Sequence, residues 1–101
     1  MRDRWANAIK SVRRFRLAVR NKVPVTSPAV DREIQAIEAG LDVLSALESL
    51  PVDACEYLYL KMRTKNALRY YAWGQQAAAA YEVEMTFRRI RSIAGGWTCH
   101  D

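Results

Sequence analysis

The chain has 101 residues, half of them hydrophobic and 27% charged, enough for one domain with a real core but too short for a substrate domain plus a cofactor domain. Four Gly and three Pro are too few to punctuate a chain of short strands, which leaves an all-α fold as the expectation. The net charge of +5 is uneven: residues 1–22 carry eight bases against Asp3, residues 23–60 carry Arg32 against seven acids, and residues 61–101 carry seven bases against three acids.

The first predicted helix runs from about Asp3 to Arg20, with Trp5, Ile9, Val12, Phe15 or Arg16, and Val19 on one stripe and arginines crowding the other faces. Val23-Pro24-Val25-Thr26-Ser27-Pro28 breaks it, because each proline lacks an N–H and restricts the residue before it. Ser27 as N-cap and Pro28 at the first helical position open a second helix, with Asp31 and Glu33 near the positive end of its dipole. Val30, Ile34, Ile37, Leu41, Leu44, Leu47 and Leu50 recur at steps of three and four, the strongest amphipathic signal in the chain. Gly40 within that run costs about 1 kcal/mol relative to Ala or marks a close helix crossing.

Pro51 is predicted to stop the second helix and start a third, in which Cys55, Leu58, Tyr59 and Met62 face inward as far as Arg63. Thr64-Lys65-Asn66 reads as a turn, since Thr and Asn compete with the helix through side-chain hydrogen bonds. Ala67 to Ala80 is helical by composition, as one helix or two. Tyr81 to Val83 reads as a short connection to a last helix, Glu84 to Ala94, with Phe87 and Ile90 inward. Gly95-Gly96 serves as its C-cap pair, and residues 97–101 form a tail. The organisation expected is a basic N-terminal helix over residues 1–24 and a helical domain over residues 25–96, four to five helices in all. The aromatics Trp5, Tyr57, Tyr59, Tyr70, Tyr71 and Trp73 sit at helical spacings and are expected to pack rather than to stack on bases.

No apolar run approaches the ~18 residues of a membrane span, and no apolar segment follows the basic N-terminus as a secretory signal requires. Cys55 and Cys99 are far apart and have no CxxC partner, so they are expected to be reduced thiols of a cytoplasmic protein, with no metal site. The lone histidine, His100, is next to last, and no GxSxG, phosphate-binding glycine loop or HExxH is present. A binding protein without catalytic residues or cofactors is expected, not an enzyme.

The segment Trp73 to Arg91 has the spacing of a helix-turn-helix at about 73–94: a small-residue helix in which Ala77 permits a close crossing, a short connection, and Phe87 and Ile90 anchoring the second helix. That leaves Glu84, Met85, Arg88 and Arg91 on outward flanks, with Thr86 and Arg89 near the edges. Arg13, Arg14 and Arg16 of the first helix are candidates for supporting phosphate contacts. A polyanion is drawn to the two basic ends of the chain and repelled by its acidic middle.

Leu50-Pro51, the aromatic helix after it, Trp73 with Gln76-Ala77, and Thr86-Phe87-Arg88-Arg89-Ile90 together resemble the small phage transcriptional regulators of the RinA/ArpU type. Their C-terminal half is similar to region 4 of a sigma factor, and the resemblance covers roughly Ala29 to Ala94. It implies double-stranded DNA as the partner, read in the major groove by the helix that carries Thr86, Arg88, Arg89 and Arg91, with RNA polymerase as a further candidate partner. One short helix reads only a few base pairs, which favours a homodimer. This chain departs from the family pattern in having Tyr81 at the turn glycine, Val83 at the capping serine and Gln76 at an apolar position. The alternative reading is a phage-type adaptor or inhibitor that binds a host protein complex through the acidic Ile/Leu helix or the basic first helix.

Overall fold

The computed structural model describes residues 2–20 and 29–98. It contains four helices and, among the described residues, no strand: α1 (Arg2–Val19), α2 (Ala29–Leu47), α3 (Ala54–Ala72) and α4 (Gln76–Thr98). Each helix packs on its neighbours in the chain, and α1 also packs on α4, so the four close into a bundle. The segment Val23–Pro28 and the capping roles of Ser27 and Pro28 lie outside the described residues, as do Cys99 and His100.

The stripe expected on α1 is its buried face. Trp5, Val12, Phe15 and Val19 belong to one core with Ala39, Val43 and Leu47 of α2, Leu60 and Ala67 of α3, and Ala79, Val83, Phe87 and Ile90 of α4. The basic N-terminal helix is therefore integral to the hydrophobic core, and its arginines are carried on a rigid element.

On α2 the expected stripe is only half inside. Ala36, Ala39, Gly40, Val43 and Leu47 are buried, whereas Ile34, Ile37 and Leu41 are exposed. Small residues take the inner face because three helices meet there: a Cβ on Gly40 would overlap Leu68 of α3 and stand 2.9 Å from Phe15 Cζ of α1. Gly40 marks a close crossing.

The connections also differ from expectation. Pro51 does not start α3. Asp53 caps it instead, its carboxylate accepting the Glu56 N–H at 2.7 Å. The turn expected at Thr64-Lys65-Asn66 is helical, because the buried Thr64 hydroxyl donates to the Leu60 carbonyl one turn back (2.9 Å) and needs no other partner. Leu58 and Met62, expected inward, are exposed.

The helical stretch from Ala67 to Ala80 is two helices, broken at Trp73–Gln75. The Gln75 N–H donates to the Tyr70 carbonyl (2.8 Å) and the Gly74 N–H to the Tyr71 carbonyl (3.0 Å), with Gly74 at φ +78°. This is the Schellman closure of a helix C-terminus, in which glycine accepts the left-handed conformation. Trp73, expected in the core, is exposed beside this turn, with its ring edge-on to Tyr70 at 6.3 Å.

Tyr81 to Val83, expected as a connection, lie within α4, which continues through Gly95-Gly96 to Thr98. The helix-turn-helix with a turn at residues 81–83 is thus replaced by a hairpin of two long helices, α3 and α4, that turns at Gly74. Ala79, not the exposed Ala77, makes the close contact with the core.

Candidate nucleic-acid interface

The packing of α1 against α4 brings together the two basic ends of the chain. On α1 and the turn residue that follows it, Arg13, Arg16 and Arg20 stand at steps of three and four, the Arg20 N–H still donating to the Arg16 carbonyl (3.1 Å), and along α4 Glu84, Arg88 and Arg91 are spaced alike, so each set shares one face. These faces adjoin. The Glu84 carboxylate is 3.0 Å from Arg20, 3.5 Å from Arg16 and 3.4 Å from Arg88.

Phe87, 6% exposed, lies beneath the same cluster. The guanidinium carbons of Arg16, Arg91 and Arg13 lie 4.1, 5.7 and 5.9 Å from its ring centroid. An aromatic ring under guanidinium groups offsets part of their mutual repulsion. Five guanidinium groups from two helices thus converge around one carboxylate and one ring, on elements fixed by the core.

The remaining sequence-predicted residues lie elsewhere. Arg14 points to the opposite flank of α1, 3.6 Å from Asp42 of α2. Arg89 is held by Glu56 of α3 through two bonds, Nε to Oε2 at 2.9 Å and NH2 to Oε1 at 2.6 Å. That carboxylate raises the pKa of the Arg89 guanidinium above its ordinary value. Thr86 is buried, and its hydroxyl donates to the Glu82 carbonyl at 2.9 Å, so it presents nothing to a ligand. Met85 is half-buried. Of the residues expected to read bases, Thr86 and Arg89 are therefore withdrawn from the arginine face.

Arg20 was missed by sequence reasoning, because its part in the cluster depends on α1 lying beside α4, which helical spacing within α1 does not reveal. Gln76, which stands where an apolar residue was expected, fastens the end of α1: its Nε2 donates to the Val19 carbonyl at 2.6 Å. That carbonyl belongs to the last turn of α1 and has no partner within the helix. Gln76 thereby ties the start of α4 to the end of α1, beside Arg20.

On the far side of α4, Arg63 donates through Nε to the Tyr59 hydroxyl (3.1 Å) and through NH1 to Glu82 (3.1 Å). These bonds, the Tyr59 hydroxyl foremost, raise its pKa above the ordinary value. This pair joins α3 to α4 and lies apart from the cluster. No helix among the described residues is long and apolar enough to cross a membrane. Comparison of the chain with protein-family models, curated proteins and solved structures finds no match.

Proposed function

We propose that this protein is a DNA-binding protein that grips the phosphate backbone of a duplex with the arginine face of α1 and α4. The observation that supports this most is the convergence of Arg13, Arg16, Arg20, Arg88 and Arg91 around Glu84 and Phe87. Guanidinium groups on two adjacent helices form parallel rows of bidentate donors, suited to phosphate oxygens that recur along a strand.

The chain has no separate recognition helix over residues 84–94 to enter a major groove. Residues 84–94 belong to the longer α4, Thr86 is buried and Arg89 is tied to Glu56. Backbone contacts fix position but carry little sequence information, so duplexes of different sequence should bind within a narrow range of affinities. A role as an adaptor on a host complex has the exposed Ile34, Ile37 and Leu41 of α2 in its favour.

Titration of a fluorescently labelled random duplex at two salt concentrations separates the two roles. A duplex held by its phosphates is expected to bind with an affinity that falls steeply with salt. Absence of binding at low salt contradicts it.

A further inference from the structure

The outward face of α3 carries a second row of cations. Lys61, Lys65 and Arg69 follow one another at four-residue steps, and the next step reaches Trp73, the C-cap residue of the helix. At that spacing side chains stand one above the other on a helix surface. None of the three cations makes an ion pair among the described residues, whereas Glu84 occupies the arginines of α1 and α4. The hollow along this face is lined by Leu58, Lys61, Met62, Lys65, Asn66 and Arg69, without an acid.

Trp73 is 65% exposed, more than any other large apolar side chain among the described residues, and Leu58 and Met62 are also more than half exposed. Tryptophan is strongly buried on average in folded proteins. Tyr70 meets the indole edge-on, with ring centroids 6.3 Å apart and planes at 77°. That contact engages at most one face of the indole, so the other is open to a flat ligand. α3 packs on α2 and α4 and stands across the bundle from α1, which separates this face from the arginine cluster.

We infer that the outer face of α3 is a binding site for single-stranded nucleic acid, whose phosphates meet Lys61, Lys65 and Arg69 while one base stacks on Trp73 and others lie over Met62 and Leu58. Cations that track a backbone beside an aromatic platform are how proteins hold single strands without reading their sequence. The neighbouring α2 carries the exposed Glu33, Glu38 and Glu48, which repel a broad anionic surface such as a duplex or a bilayer. A single strand is narrow enough to follow the row. An acidic peptide matches the cations but gives the indole no flat partner. From Lys61 to Trp73 the row is about 18 Å long, room for about five nucleotides at the ~3.4 Å rise of a stacked strand.

Tryptophan emission of the intact chain, titrated with an oligothymidylate of about ten nucleotides, is the test. The expected result is quenching that Trp73→Phe removes, while binding, followed by anisotropy of the labelled oligomer, persists. Trp73→Ala, at an exposed position, weakens binding about tenfold, with folding checked by circular dichroism. Lys65→Ala with Arg69→Ala makes the slope of log affinity against log salt shallower by about 1.4, at about 0.7 for each phosphate of a single strand. An oligouridylate of the same length separates the two sources of such a strand: the stronger quencher identifies it as DNA or RNA. An abasic oligomer and an oligoglutamate of equal length are expected to bind weakly and without quenching. Absence of quenching by both oligonucleotides, a Trp73→Ala chain that binds as wild type, or equal affinity for the abasic oligomer or the oligoglutamate would overturn the assignment. Arg13→Ala with Arg20→Ala and Arg88→Ala leaves the quenching unchanged, so the outcome is independent of duplex binding on α1 and α4.

Discussion

The Arg16 guanidinium lies 4.1 Å from the centre of the Phe87 ring, while its NH1 stands 3.5 Å from Glu84, one turn before Phe87 on the same helix. One side chain of α1 is thus held by an aromatic ring and a carboxylate of α4. Phe87 keeps its apolar atoms in the core and offers its ring to Arg16, Arg13 and Arg91. Phe87→Leu keeps most of the apolar contact but removes the ring. The expected loss is about 1–2 kcal/mol of stability by urea denaturation, together with weaker duplex binding as the guanidinium groups lose their common support.

Glu84 occupies three guanidinium groups that a phosphate would otherwise engage. Binding DNA therefore requires the phosphate to compete with an internal carboxylate. Glu84→Gln removes that charge at nearly constant volume. Affinity for duplex DNA is expected to rise roughly fivefold at low salt, the scale of a partly exposed ion pair. Fluorescence anisotropy measures it, and unchanged or weaker binding would contradict the competition.

Gly40 sits where α1, α2 and α3 meet. An alanine there gains about 1 kcal/mol of helix propensity, but its methyl would overlap Leu68 and press on the buried Phe15. Overpacking of this kind costs about 1–3 kcal/mol. Gly40→Ala is expected to be less stable by about 1 kcal/mol in urea. A stabilised variant would show that the crossing has room for a methyl group and would contradict the close approach of Leu68 and Phe15.

Gly74 presents the opposite case. A Cβ there meets nothing within 4 Å, so only the positive φ opposes a side chain. Gly74→Ala is expected to lose about 1 kcal/mol through the left-handed backbone alone, with no change in the affinity of the arginine face. A stability equal to wild type by thermal denaturation would contradict this.

Tyr71 is partly buried, and its phenol titrates above the ordinary value, first because burial disfavours the phenolate and then because Glu33 is near. A pKa raised on folding gives stability that is complete below the unfolded value near 10 and is lost as pH climbs through the folded one. Tyr71→Phe is expected to remove a phenol that titrates above the ordinary value in an ultraviolet titration and to reduce the loss of stability at alkaline pH. An unchanged titration curve would contradict the shift.

Periodicity made the helical class, the buried face of α1 and the inward Phe87 and Ile90 legible, because large apolar residues at helical steps have few other solutions. It misled on α2. Ile34, Ile37 and Leu41 repeat as regularly as a core stripe, yet the inner face belongs to Ala36, Ala39 and Gly40, since a three-helix crossing favours small residues over large ones. The hairpin turn was marked by Gly74, but the apolar spacing around Phe87 drew attention to residues 81–83, where nothing in Tyr-Glu-Val breaks a helix. Charge blocks pointed to the arginine ends. Which arginines face a ligand depended on the acids opposite them: Asp42 draws Arg14 to α2 and Glu56 draws Arg89 to α3, leaving Arg13, Arg16, Arg20, Arg88 and Arg91 on the shared face.

Comparison of two triple variants tests that shared face most directly. Arg13→Ala, Arg20→Ala and Arg88→Ala together remove exposed members of the α1/α4 cluster, while Arg14→Ala, Arg69→Ala and Arg89→Ala remove the same charge from other faces. Duplex affinity is measured across a salt series. The first variant is expected to lose most of its binding, with the slope of log affinity against log salt shallower by about 0.9 for each phosphate no longer neutralised. The second is expected to stay close to wild type in both affinity and slope. Equal losses from the two variants would show that net charge alone attracts the duplex and would contradict an arginine site on α1 and α4.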